Sequence, residues 1–249
     1  MKNYMKNINL AEYGIIKKIE NFMVVIFLYK SILSDYERNN LKLIGINLND
    51  KKIIVFYPIG IKVENPIKNS INIALSKKYF KNIDAYNKIM MSYEFYKIFQ
   101  NYAKKILVVQ ADVTIDKMLL EMDKYEKFPI LGARWSSYIS AIPVFGRRLN
   151  IIHGFWPISI FRKKLIYPNG GLSLRDVNLI LKKLKYKLMN KCWFDSEDVY
   201  FSYIFDDELR VLYNEKIIDD FSQESMAKDN IYPGAFGYHA LNKFNVNLL

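Results

Sequence analysis

The apolar positions of this 249-residue chain fall into short unbroken runs separated by stretches of helical period. Met23–Tyr29 (MVVIFLY) is β-branched and aromatic throughout, which predicts a strand buried on both faces. Ser34-Asp35 offers an N-cap to a helix through Tyr36-Glu37-Arg38, Leu41 and Leu43-Ile44. Lys52–Tyr57 reads as a second strand, closed by Pro58. Strand, helix, strand in that order predicts a right-handed βαβ unit and a mostly parallel sheet.

Ile89, Met90, Tyr93, Tyr96 and Phe99 then supply the apolar face of one helix from Asp84 to Tyr102. Ile106–Val109 is the third buried strand, and it runs into Gln110-Ala111-Asp112. Ligands of open α/β sheets gather at the carboxyl ends of such strands, so Asp112 stands where function is expected. Ile115 to Tyr125 reads as a short helix and Phe128 to Gly132 as a strand. Residues 136–168 read as loop-rich, Asp176 to Lys191 as a basic helix, and Asp198 to Phe205 as another. Between them, Asn169-Gly170-Gly171-Leu172-Ser173-Leu174-Arg175 places a glycine pair ahead of a packed element, read as a helix. Adjacent glycines permit positive φ and let backbone approach a bulky partner; Arg175 is placed to meet an anion there. The tail segment Pro233–His239 reads as a glycine-containing loop ending in a histidine.

Composition narrows the class. With 51% hydrophobic and 25% charged residues this is an ordinary globular chain with no low-complexity segment or repeat. The single cysteine, Cys192, cannot form an internal disulfide, which suits a reducing compartment. The net charge of +12 raises nucleic acid as a partner. Most of that excess is lysine spread along an Ile-, Asn- and Tyr-rich chain, a bias that an AT-rich genome produces by itself, so nucleic acid is not expected. Anionic lipid or glycan fits the charge better than nucleic acid does, and plain solvation of a lysine-rich surface accounts for it best. Met23–Tyr29 is far shorter than the roughly 20 residues of a membrane span. No secretory signal pattern opens the chain, so a cytoplasmic location is expected, with peripheral contact at the inner membrane face as an option.

Several groups can carry chemistry. Asp112 can bind a divalent cation bridging two phosphates, or simply cap the segment that follows. Gln110 cannot be an anionic ligand, so any Asp-x-Asp metal site is reduced to one carboxylate. His239 can serve a Mn²⁺-like ion or be structural; His153 carries no assigned role. Glu197-Asp198 can supply a base for a sugar hydroxyl, or form with Asp195 an acidic helix start. Asn87 and Lys88, after Tyr86, can hold a ribose or diphosphate, or be a surface pair. Absent are a Gly-x-Gly-x-x-Gly, a P-loop, a Cys-x-x-Cys pair and a Gly-x-Ser-x-Gly elbow, which counts against a dinucleotide oxidoreductase, a P-loop kinase, a zinc site and an α/β-hydrolase.

Seven segments in a shared order resemble the bacterial DUF5672 family of GT-A-like glycosyltransferases. They are VVIFLYKSILSDYERNNL at 24–41, YFKNIDAYNKIMMSYEFYKIF at 79–99, ILVVQAD at 106–112, ILGARW at 130–135, NGGLSLR at 169–175, EDVYFS at 197–202 and AFGYHA at 235–240. The resemblance implies one GT-A-like, Rossmann-type α/β domain over 1–249, with a donor-nucleotide half at about 21–116 and an acceptor half at about 128–249. It implies transfer of a sugar from a nucleotide-sugar to a hydroxyl of a surface glycan such as lipopolysaccharide or capsule, metal-assisted and inverting. Donor contacts fall on Tyr29, Asn87, Lys88, Gln110, Asp112, Gly170, Gly171 and Arg175. Asp112 and His239 would hold Mn²⁺ or Mg²⁺, and Asp198, in preference to Glu197, would be the base. Where the family pattern reads Gly-Ala-Pro-Trp this chain has Gly132-Ala133-Arg134-Trp135, and Ala235 replaces a proline before Phe-Gly. Arg134 and Trp135 are accordingly expected on the acceptor side. The rival readings are a sugar-phosphate nucleotidyltransferase and a non-catalytic glycan- or nucleic-acid-binding module.

Overall fold

The strand–helix–strand opening is present in the computed structural model, which describes residues 5, 8–116, 122–134, 139–141, 163–165, 168–186, 196–224 and 234–239. Strand β1 (Glu20–Phe27) leads to helix α1 (Asp35–Asn47) and strand β2 (Ile53–Pro58), and β1 and β2 pair in parallel. The start of α1 is fixed by a capping box: the Ser34 hydroxyl accepts from the Glu37 N–H, and the Glu37 carboxylate accepts from the Ser34 N–H. Residues Met23–Ile26 of β1 are completely buried, as expected for a strand covered on both faces.

A six-stranded sheet runs in the order β3-β2-β1-β4-β9-β6. Its other members are β3 (Ile71–Leu75), β4 (Ala103–Val109), β6 (Ile130–Gly132) and β9 (Leu172–Asp176). Strands β3, β2, β1 and β4 pair in parallel, and β9 runs antiparallel between β4 and β6. The sheet is therefore mostly parallel. A small second sheet joins β10 (Ser222–Glu224), β11 (Gly237–His239) and β5 (Val113–Ile115), while β7 (Ile139–Ala141) and β8 (Lys163–Leu165) form an antiparallel pair.

Four expectations need correction. The helix expected over Asp84–Tyr102 is two, α2 (Ile83–Met90) and α3 (Tyr93–Phe99). At the break the Ser92 hydroxyl accepts from the Phe95 N–H at 3.2 Å and donates to the Ile89 carbonyl at 2.8 Å, ending one helix and starting the next. The helix expected from Ile115 begins instead as strand β5, because Val113–Ile115 pairs with β11; Met122–Tyr125 forms one 3-10 turn, and 117–121 lie outside the described residues. The glycine pair opens a strand, not a helix: Leu172-Ser173-Leu174-Arg175 alternates with period two and fills the gap between β4 and β6. The loop expected up to His239 ends as strand β11.

Helices α4 (Val177–Tyr186), α5 (Glu197–Ile204), α6 (Asp206–Leu212) and α7 (Glu215–Phe221) complete the chain. The Asp176 carboxylate caps α4 by accepting from the Leu179 N–H at 2.8 Å. Rings tie the layers together: Phe27 stacks on Phe56 at 5.2 Å and meets Tyr86 edge-on at 5.4 Å, and Tyr96 meets Phe201 at 5.9 Å. These contacts hold α2, α3 and α5 over the carboxyl end of the sheet. No described helix is long and apolar enough to cross a membrane.

Candidate functional site

Sheet register brings the distant motifs together. Beyond the end of β4 the Gln110 N–H donates to the Gly171 carbonyl at 3.0 Å, so Gly170-Gly171 lies beside Gln110-Ala111-Asp112. Val113, next to Asp112, pairs with His239 of β11. The imidazole Nε2 consequently stands 3.5 Å from the Asp112 Oδ1. The two glycines do not adopt positive φ; among the described glycines only Gly14, Gly60 and Gly234 do. They are required by close packing instead. A methyl group on Gly170 would fall on the Glu197 Oε1, and one on Gly171 would fall on the His239 ring.

Two adjoining cavities open here. One of about 310 Å³ is lined by Asn87, Gln110, Asn169, Gly170, Gly171, Glu197, Asp198 and His239, with Ile83, Asp84, Tyr86 and Ser196 completing it. The other, of about 590 Å³, is lined by Tyr29, Lys30, Ser34, Glu37, Lys81, Asn82 and Asp112, with several aromatic residues. Ile83, Tyr86 and Gln110 border both. The larger lies over the carboxyl ends of β1 and β4, the smaller against the start of α5.

Among the described residues, two ion pairs without histidine border the site. Lys30 Nζ lies 2.7 Å from the Glu37 Oε1. Burial opposes the Glu37 charge, but Lys30 and the Ser34 N–H and hydroxyl outweigh it and hold the carboxyl below its ordinary range. Deeper, the completely buried Arg175 donates from Nη2 to the Glu197 Oε1 at 2.8 Å, from Nε to the Ser173 hydroxyl at 2.9 Å and from Nη1 to the Tyr96 hydroxyl at 3.1 Å. Burial alone would make the guanidinium easier to deprotonate; Glu197, Tyr96 and Tyr86 more than reverse this and raise its pKa. Burial pushes the Tyr96 hydroxyl up to about 12.

The residues singled out from the sequence divide into four groups. Asn87, Gln110, Gly170, Gly171, Glu197, Asp198 and His239 line the smaller cavity, and Tyr29, Gln110 and Asp112 the larger. Arg175 stands behind the cavity wall, with Glu197 as its anion. Lys88 is exposed on α2 and lines neither cavity. Arg134 also lines neither; its guanidinium is held by Asp219 at 2.7 and 2.9 Å and by Glu215 at 3.0 Å, both on α7. Trp135, Cys192 and His153 lie outside the described residues. Sequence reasoning missed Lys30, Glu37 and the Arg175–Glu197 pair. The last had a signal: an arginine at an inward position of a buried strand requires a buried anion.

The donor set suits a divalent cation. A carboxylate oxygen and an imidazole nitrogen 3.5 Å apart can be bridged by two metal bonds of about 2.1 Å each. No group of three or more metal-binding side chains occurs among the described residues. A cation held by Asp112 and His239 would therefore complete its shell with substrate oxygens and water, as Mg²⁺ commonly does.

A family model described as a protein of unknown function (DUF5672) matches residues 70–239. A comparison with curated proteins gives no match. Among solved structures, the apo form of mouse xyloside xylosyltransferase 1 is similar, with a TM-score of 0.52 and 11% sequence identity over 90% of this chain and 99% of that one. The shared α/β fold is GT-A-like.

Proposed function

The chain belongs to the DUF5672 family, and on that footing we propose that it is a glycosyltransferase moving a sugar from a nucleotide-sugar to a hydroxyl of a bacterial surface glycan. The observation that carries this reading is the pair of confluent cavities in a GT-A-like fold. Asp112 lines the larger and His239, Glu197 and Asp198 line the smaller, with His239 beside Asp112 where the two meet. The larger cavity would take the nucleotide, with the Tyr29 ring and Lys30 beside it. The smaller would take the sugar, against Asn87, Gln110 and the glycine pair.

Asp112 and His239 would hold Mn²⁺ or Mg²⁺; bound there, the cation would neutralise charge on the departing diphosphate. Asp198, buried at the first turn of α5 and lining the sugar cavity, is assigned as the base. It would take the acceptor O–H proton as that oxygen bonds to the anomeric carbon and the carbon–oxygen bond to the diphosphate breaks. Glu197 is less suited, because Arg175 already occupies its Oε1. A single attack of this kind inverts the anomeric carbon.

A hydrolysis screen of UDP-, GDP-, CMP- and TDP-sugars tests the assignment. Release of nucleoside diphosphate (or CMP) from at least one donor is expected, and NMR of the transfer product should show the inverted anomer. Binding of glycans with hydrolysis of no donor would point to a binding module instead. Formation of a nucleotide-sugar from a sugar phosphate and a nucleoside triphosphate would point to a nucleotidyltransferase.

A further inference from the structure

The arginine behind the sugar cavity is an expensive feature for a fold to carry. Arg175 and Glu197 have side-chain exposures of 0% and 4%, and apolar residues of similar volume could fill such a space with no loss of stability. The guanidinium is held by three hydrogen bonds and one ring. Ser173 and Tyr96 each accept one of its N–H groups, and Phe201 stacks at 5.5 Å from its central carbon. Its remaining direction meets the Glu197 Oε1. The other carboxylate oxygen, Oε2, is buried and has no hydrogen-bond partner among the described residues, while Glu197 lines the sugar cavity. Gly170 makes the arrangement possible, because a side chain there would collide with Oε1 and approach Arg175 Nη2.

We infer that Arg175 is a positioning residue, which clamps Glu197 so that Oε2 accepts a hydrogen bond from one particular hydroxyl of the donor sugar. The substrate class follows: the donor carries a free ring hydroxyl at that position, and donors that are deoxy there are disfavoured. A buried anionic oxygen with no protein donor is satisfied by a sugar hydroxyl and left bare by a hydrogen, so discrimination is built into the wall of the cavity. This inference rests on the glycosyltransferase reading of the site.

The test compares each accepted nucleotide-sugar with its monodeoxy forms, using the full chain. For wild type, kcat/KM should fall about tenfold to a hundredfold for one monodeoxy position and little for the others. Arg175→Lys keeps the charge but cannot bond Ser173, Tyr96 and Glu197 together, and Gly170→Ala displaces Oε1 directly. Both should reduce that preference to about threefold or less, while affinity for the free nucleoside diphosphate stays within about twofold of wild type. Should Arg175→Lys fail to fold, Gly170→Ala and the wild-type series still decide the matter. Equal use of every monodeoxy donor by wild type, or unchanged preference in a folded variant, overturns the inference and leaves the glycosyltransferase reading standing. Failure of wild type to bind any nucleotide-sugar overturns both.

Discussion

Asp112 and His239 meet because of ladder register: Val113 pairs with His239, which sets the imidazole beside the preceding aspartate. Two protein ligands would make a cation site that depends on the diphosphate for the rest of its shell. Calorimetry should therefore find Mn²⁺ binding strengthened by nucleoside diphosphate, and Asp112→Ala should abolish that coupling. The same substitution should lower turnover by about 10²–10³. EDTA should inactivate the wild type and leave the residual activity of Asp112→Ala unchanged. Undiminished wild-type activity in EDTA would rule the cation out. Asp198 makes a separate prediction. Its Oδ1 accepts from the Val199 N–H at 2.8 Å, a bond that the asparagine side chain can also make. Asp198→Asn should thus keep the melting temperature while lowering kcat by about 10²–10⁴ with little change in donor KM. Near-normal transfer by a folded Asp198→Asn would remove the base from this position.

At the scale of elements, the runs that are apolar on every residue were legible. β1, β2 and β4 follow from their β-branched stretches, and α1 from its Ser34 cap. The break between α2 and α3 was not legible, for a physical reason. Ile89, Met90, Tyr93, Tyr96 and Phe99 keep helical spacing across it, because both helices press the same core. Ser92 makes the break, and a serine inside an amphipathic run carries no unique sign of a cap. Ser92→Ala should cost about 1 kcal/mol, as loss of an N-cap usually does, measurable as a shifted urea midpoint at constant slope. Strand β9 was hidden similarly, since four alternating residues after two glycines do not separate a short strand from a helix start. The same limit governs the site. Gly170 and Gly171 announced a close approach, but the side chains that fill the space, Glu197 and His239, are identified only by tertiary packing. Asp112, Glu197, Asp198 and His239 could be picked out by residue type; the Arg175 clamp and the Lys30–Glu37 pair depend on which faces the fold turns inward.

Over the whole molecule the hydrophobic core runs from the N-terminal strands to Phe236, and it encloses several tyrosine hydroxyls. This gives a definite response to alkali. Burial pushes the hydroxyls of Tyr96 and Tyr200 up to about 12 and raises that of Tyr86 further. A group whose folded-state pKa exceeds its unfolded value stabilises the fold fully below the unfolded pKa, near 10 for tyrosine, and loses that contribution as pH rises through the folded value. Lys105 acts in the opposite sense. Its burial lowers its pKa despite Asp176 at 3.3 Å, so its term grows more favourable with pH until the unfolded lysine has itself lost its proton, near 10.4. Beyond that point the tyrosines act together with Lys30, whose pKa Glu37 raises and whose contribution is likewise lost as pH climbs. The urea midpoint should consequently change little between pH 9 and 10 and fall steeply between about 10.5 and 12. Tyr200→Phe removes one of the titrating hydroxyls while keeping the ring that packs on Phe201 beside Arg175, and should make that fall shallower. Tyrosinate absorbance provides the independent check, because the buried rings should ionise with unfolding and not ahead of it. Full ionisation near pH 10 in a chain that is still folded would show that these hydroxyls reach water.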